Sequence, residues 1–302
     1  MAACVGKLVA IAVLIVIPAF AQTTAERPAP LGTLVDVGGY RVHLYCTGSG
    51  SPTVLVVGAG FSVDWALVQA DVAKFTTICT YDVSGTAWSD PGPELTCGLR
   101  VAEAHKLVRA AHLQIPLVMA GLSIGACVAR LYAAEYPAEI SGMVIVDHAF
   151  APDIDPAATE HPRSMKDVDT PPMLISSSPI TLTTEQMSNF SNLPERMQEL
   201  HRWAMSLHPK LQTWDTVEDC LAQLRVAAAG PFPLGDKPLV VVSTGNQSPG
   251  YDRLQASLLA LSRHSTQMKA EKSFHSVEID QPDVVAAAMR RVVEDVRRIT
   301  GR

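Results

Sequence analysis

Residues 53–57, 117–120, 142–146 and 239–243 are short, nearly continuous apolar runs. A run without polar alternation is the pattern of a strand buried on both faces of a parallel sheet. Residues 34–37 and 41–46 flank Gly38-Gly39 and read as a hairpin, and 77–81 reads as a further strand closing on Asp82. Between the runs, apolar residues recur at helical spacing over 65–75, 99–112, 126–136, around 254–262 and over 283–299, with a weak strand at 267–270. Strand and helix alternating in this way predict an α/β class. The expected architecture is a mostly parallel sheet of about eight strands with helices on both faces.

The alternation lapses from about 151 to 233. Asp, Pro and Ser are frequent at first, and helical patterns follow at 195–207 and 216–229. This stretch is expected to be an inserted, mainly helical lid, with 22–150 and 234–302 forming the core around it. At the N-terminus, Lys7 precedes an apolar run over 8–17, Pro18 breaks it, and Ala19-Phe20-Ala21 offers small residues for cleavage. Residues 1–21 therefore read as a signal peptide, cut before Gln22. The run is short for a bilayer span, and an uncut anchor is the other reading. With cleavage, no stable membrane anchor is expected.

Composition narrows the picture. The chain has 302 residues, 48% of them hydrophobic and 18% charged, which allows a large core. A net charge of −6 leaves no footprint for nucleic acid. Export implies an oxidising compartment. Five cysteines would follow the cleavage site, Cys46, Cys79, Cys97, Cys127 and Cys220, enough for two bridges with one thiol over. None has zinc-site spacing. Gly58-Ala59-Gly60 would need a third glycine at 63 to bind a dinucleotide, and 63 is Val63. No cofactor or metal is expected.

The candidate chemistry centres on Gly121-Leu122-Ser123-Ile124-Gly125, between an apolar strand and a helix. That is the strand–turn–helix setting of a nucleophile elbow, in which the serine hydroxyl stands above the sheet's end. A serine needs a base to take its proton. His275, in Ser273-Phe274-His275-Ser276 after the last strand, stands in the right order, and His264 is its competitor. The plainer readings are a tight structural turn for Ser123 and a surface loop for His275.

The motifs resemble those of the α/β-hydrolase fold family. Tyr81-Asp82-Val83-Ser84-Gly85-Thr86-Ala87-Trp88-Ser89 is similar to the loop after its fourth strand, with Ala87 for a glycine. Gly121 to Gly125 resembles the elbow, with Leu122 where many members have His. Phe274-His275 with Asp280-Gln281-Pro282 resembles the segment of the catalytic histidine. The resemblance implies Ser123 as nucleophile and His275 as base. Most members place the acid after the strand that follows the lid, where Ser243 to Ser248 holds no carboxylate. Others place it one strand earlier, where Asp147 stands. Asp147 is the favoured acid, Asp252 the alternative, and Asp280 is assigned to the start of the final helix. The resemblance also implies an oxyanion hole from the N–H of Ile124 and a donor in the turn after the third strand. Ala59-Gly60 replaces the usual His-Gly there, which makes Phe61 the expected second donor to within a residue.

In this fold Cys46 and Cys79 fall on strands close enough to bridge. Cys97 and Cys220 would then tie the loop after the fourth strand to the lid, with Cys127 in the core. Met187, Met197, Trp203, Met205 and Trp214 form either an apolar substrate wall or the packing of the lid on the core. The function expected is an exported serine hydrolase of the carboxylesterase type, acting on a small-molecule ester. Lactone, amide and thioester substrates, or a non-catalytic binding protein on the same fold, are the alternatives. An aspartate-nucleophile chemistry is disfavoured by Ser123.

Overall fold

The computed structural model describes residues 27–58, 60–93, 96–148, 190–207, 214–227, 233–245 and 249–301. Eight strands form one sheet: β1 (Thr33–Asp36), β2 (Arg41–Thr47), β3 (Val54–Val57), β4 (Ile78–Asp82), β5 (Leu117–Leu122), β6 (Ile140–Val146), β7 (Leu239–Thr244) and β8 (Ser265–Ala270). Their order is β1-β2-β4-β3-β5-β6-β7-β8. β1 and β2 pair antiparallel, as do β2 and β4, and the rest pair parallel. This is the architecture expected from the apolar runs.

The helices are α1 (Ala66–Val72), α2 (Cys97–Ala110), α3 (Ile124–Glu135), α4 (Glu195–Leu207), α5 (Trp214–Ala227), α6 (Pro249–Ser257), the single turn α7 (Val277–Asp280) and α8 (Pro282–Thr300). Every residue of β3, β5 and β7 is buried, because helices cover both faces. One apolar cluster joins the sheet to α2, α3 and α5 through Leu107, Val128, Tyr132 and Leu224. The other joins it to α1 and α8 through Val68, Val72, Val285, Met289 and Val292. In α8, Val285, Ala288, Met289, Val292, Val293 and Val296 are buried. Their three- and four-residue spacing makes one apolar stripe.

The expected leader at 1–21 lies outside the described residues, as does much of the expected lid at 151–233. Within that stretch α4 and α5 are helical. α4 sets Met197, Leu200, Trp203, Ala204 and Met205 against Phe61, Val63 and Trp88, with Trp203 4.9 Å from Trp88. These side chains pack on the core; Met187 and the Trp214 side chain lie outside the description. Disulfides join Cys46 to Cys79, which face each other across β2 and β4, and Cys97 to Cys220, linking α2 to α5. Cys127 is buried beside His148. No helix of the described residues is long and apolar enough to cross a membrane.

Candidate active site

Ser123 sits between β5 and α3 with φ 54° and ψ −120°, a left-handed conformation that strains a residue bearing a Cβ. Its N–H donates to the Val146 carbonyl of the neighbouring strand at 3.0 Å. The tight turn needs glycines around it. A Cβ on Gly121 would lie 2.3 Å from the Gly125 backbone, and one on Gly58 would lie 2.7 Å from Gly125 Cα. The turn after β3 therefore presses directly on the elbow. Arg100, buried on α2, donates to the Gly58 carbonyl at 3.2 Å and braces that turn from behind.

Asp147 and His275 meet although 128 positions separate them: His275 Nδ1 donates to Asp147 Oδ2 at 2.6 Å. Asp147 follows β6, is buried and has φ 40°, and its N–H donates to the Val242 carbonyl of β7 at 2.8 Å. His275 lies in the loop after β8, its side chain 45% exposed. Asp280 clamps that loop, accepting from the Phe274 N–H at 3.1 Å. It serves the histidine's loop rather than the start of α8, because α7 turns it back towards Phe274. Asp252 is half-exposed on α6 and faces Lys269 at 3.9 Å. His264 is exposed ahead of β8, at the opposite end of that strand from His275.

The N–H of Ile124 opens α3, where the first N–H groups have no intrahelical acceptor and carry the positive end of the helix dipole. The N–H of Phe61 is engaged: it donates to Asp64 Oδ2 at 2.9 Å. Asp64 Oδ1 in turn accepts from His201 Nδ1 of α4 at 2.7 Å. To meet an oxyanion, the Phe61 N–H must share or leave this carboxylate.

Several groups around the site gave no signal in the sequence. His148 donates from Nδ1 to the Ser123 carbonyl at 3.1 Å. Burial first, then Arg130, lowers its pKa to about 3, so it supports the elbow as a neutral ring. The Tyr251 hydroxyl donates to Asp147 Oδ1. Burial, with Asp64, Asp280 and Asp147 nearby, raises the Glu278 carboxyl well above its ordinary range. Three His–Asp pairs occur among the described residues, and the surroundings of Nε2 separate them. His43, paired with Asp82 at 2.7 Å, accepts the Gly32 N–H at Nε2 and is satisfied at both ends. His201 is buried, and its Nε2 has no partner among the described residues. His275 is the one that reaches solvent.

The sequence family described as the alpha/beta hydrolase fold matches residues 54–207. The chain belongs to this family. As an alpha/beta hydrolase it is 24% identical over 263 residues to the uncharacterized protein YqjL of Bacillus subtilis, covering 84% of this chain and 88% of YqjL. Among solved structures it superimposes on a thermophilic esterase from Thermogutta terrifontis with a TM-score of 0.59, at 19% identity, over 85% of this chain and 94% of the esterase. A haloalkane dehalogenase variant from Bradyrhizobium elkanii gives a TM-score of 0.63 at 15% identity, over 89% of this chain and 98% of that one. Likeness at this level establishes the alpha/beta hydrolase fold, and the chemistry rests on the site's own residues.

Proposed function

We propose that this alpha/beta hydrolase is an exported serine hydrolase of the carboxylesterase type, with Ser123 as nucleophile, His275 as base and Asp147 as acid. The observation that carries the reading is the His275–Asp147 hydrogen bond at 2.6 Å, with Asp147 following Val146, whose carbonyl accepts the N–H of Ser123 on its strained elbow. The acid fixes the imidazole with its proton on Nδ1, which leaves the Nε2 lone pair for the serine hydroxyl. Ser123 then attacks an ester carbonyl, and the tetrahedral oxyanion forms at the N-terminus of α3, against the Ile124 N–H. The Phe61 N–H joins as second donor by sharing its hydrogen bond with Asp64. His275 gives its proton to the leaving alcohol, and water, activated the same way, releases the acyl group. Export is supported by the apolar leader pattern at 1–21 and by two disulfides, which persist in an oxidising compartment.

The test is labelling by a fluorophosphonate probe, together with turnover of p-nitrophenyl esters of graded acyl length. Wild type is expected to label and to hydrolyse at least the short esters, and Ser123→Ala to do neither. Equal labelling of the two proteins would refute the assignment of Ser123, and silence of wild type towards both reagents would leave a binding protein on this fold.

A further inference from the structure

Asp147 has two carboxylate oxygens and each has its own partner. Oδ2 accepts from His275, and Oδ1 accepts from the Tyr251 hydroxyl. Tyr251 belongs to α6, the helix after β7, and its hydroxyl also lies 3.4 Å from the N–H and Oγ1 of Thr244 at the end of β7. The carboxylate is therefore held from two elements, and it cannot rotate about its χ2 without breaking one of these bonds.

We propose that Tyr251 is a positioning residue for the acid of the triad, holding Asp147 Oδ1 so that Oδ2 stays on His275 and drawing charge away from it. This rests on the triad reading above. The hydroxyl is a neutral donor throughout the working range, because burial first and Asp147 second push its pKa far above the ordinary tyrosine value. The other ionisable groups around the pair are Glu278, whose carboxyl burial pushes towards its neutral form, and Asp280, turned to Phe274. His148, next in the chain, is held neutral. Asp252, beside Tyr251, is turned to Lys269. Tyr251 is thus the one of these groups that donates to Asp147 besides His275.

Two consequences separate positioning from mere filling of space. A freed carboxylate wobbles, so the step that needs an aimed imidazole slows while binding does not. It is also more basic, so it stabilises the imidazolium, and His275 must be deprotonated at a higher pH. Tyr251→Phe is expected to lower kcat for p-nitrophenyl acetate about tenfold, the scale of one hydrogen bond to a charged group, with KM within about twofold. The acid limb of its kcat/KM profile is expected to move up by about half a pH unit, and the His275 ring resonance in an NMR titration to move with it. Asp252→Asn, one position away, is the control and is expected to leave both unchanged. A Tyr251→Phe protein with wild-type kcat, acid limb and His275 titration would overturn the role of Tyr251 alone, since the control and wild type still turn over. A wild type that neither hydrolyses the ester nor reacts with a fluorophosphonate would overturn the triad and this role with it.

Discussion

At the scale of single residues, an aspartate matters here through the angle at which it is held. Asp147 and Asp252 are both carboxylates in reach of the sheet's end by sequence, yet only Asp147 is buried and bonded to His275. Asp147→Asn keeps the shape but favours the wrong imidazole tautomer, and is expected to lower kcat by roughly 10³–10⁴, while Asp252→Asn stays near wild type in the same ester assay. His148 carries a different prediction. Folding lowers its pKa from 6.5 to about 3, so below pH 6.5 the unfolded chain binds the extra proton. Stability is whole above that pH and falls as the pH drops towards 3, by up to about 1.4 kcal/mol per unit from this group. Urea unfolding at pH 7.5 and 5, in wild type and His148→Gln, checks it: the variant is expected to lose part of the acid slope.

Elements meet at Asp64. Its carboxylate joins the turn after β3 to α4, taking the Phe61 N–H on one oxygen and His201 on the other. Asp64→Ala leaves two buried donors without acceptors, at about 1–3 kcal/mol each. It is therefore expected to lower the unfolding free energy by about 2–6 kcal/mol, read from a denaturant midpoint at unchanged m-value. Most element positions were legible beforehand. The apolar runs at 53–57 and 142–146 mark β3 and β6, because strands covered on both faces have no polar side to show. Boundaries shifted where chain geometry intervened: a 3₁₀ turn over Ser62–Trp65 precedes α1, and another over Leu258–Leu261 follows α6. Neither changes the apolar period enough to be read in advance.

Across the whole molecule, the two disulfides close loops of very different length. Cys46 and Cys79 are 33 positions apart, and Cys97 and Cys220 are 123 apart. Chain entropy makes the longer loop the larger constraint, so Cys97→Ser/Cys220→Ser is expected to lose about 1 kcal/mol more than Cys46→Ser/Cys79→Ser in equilibrium unfolding. The sequence by itself determined the sheet, its covering helices, the strained turn at Ser123 and a histidine after the last strand. These follow from local periodicity, glycines at a tight turn and the order of motifs, all properties of short stretches of chain. Tertiary structure decided which carboxylate faces His275, that Tyr251 and His148 attend the site, and that Asp64 ties the turn after β3 to His201 of α4. Those outcomes depend on contacts between residues up to 137 positions apart, set by how the sheet brings its loops together, and no local pattern records them.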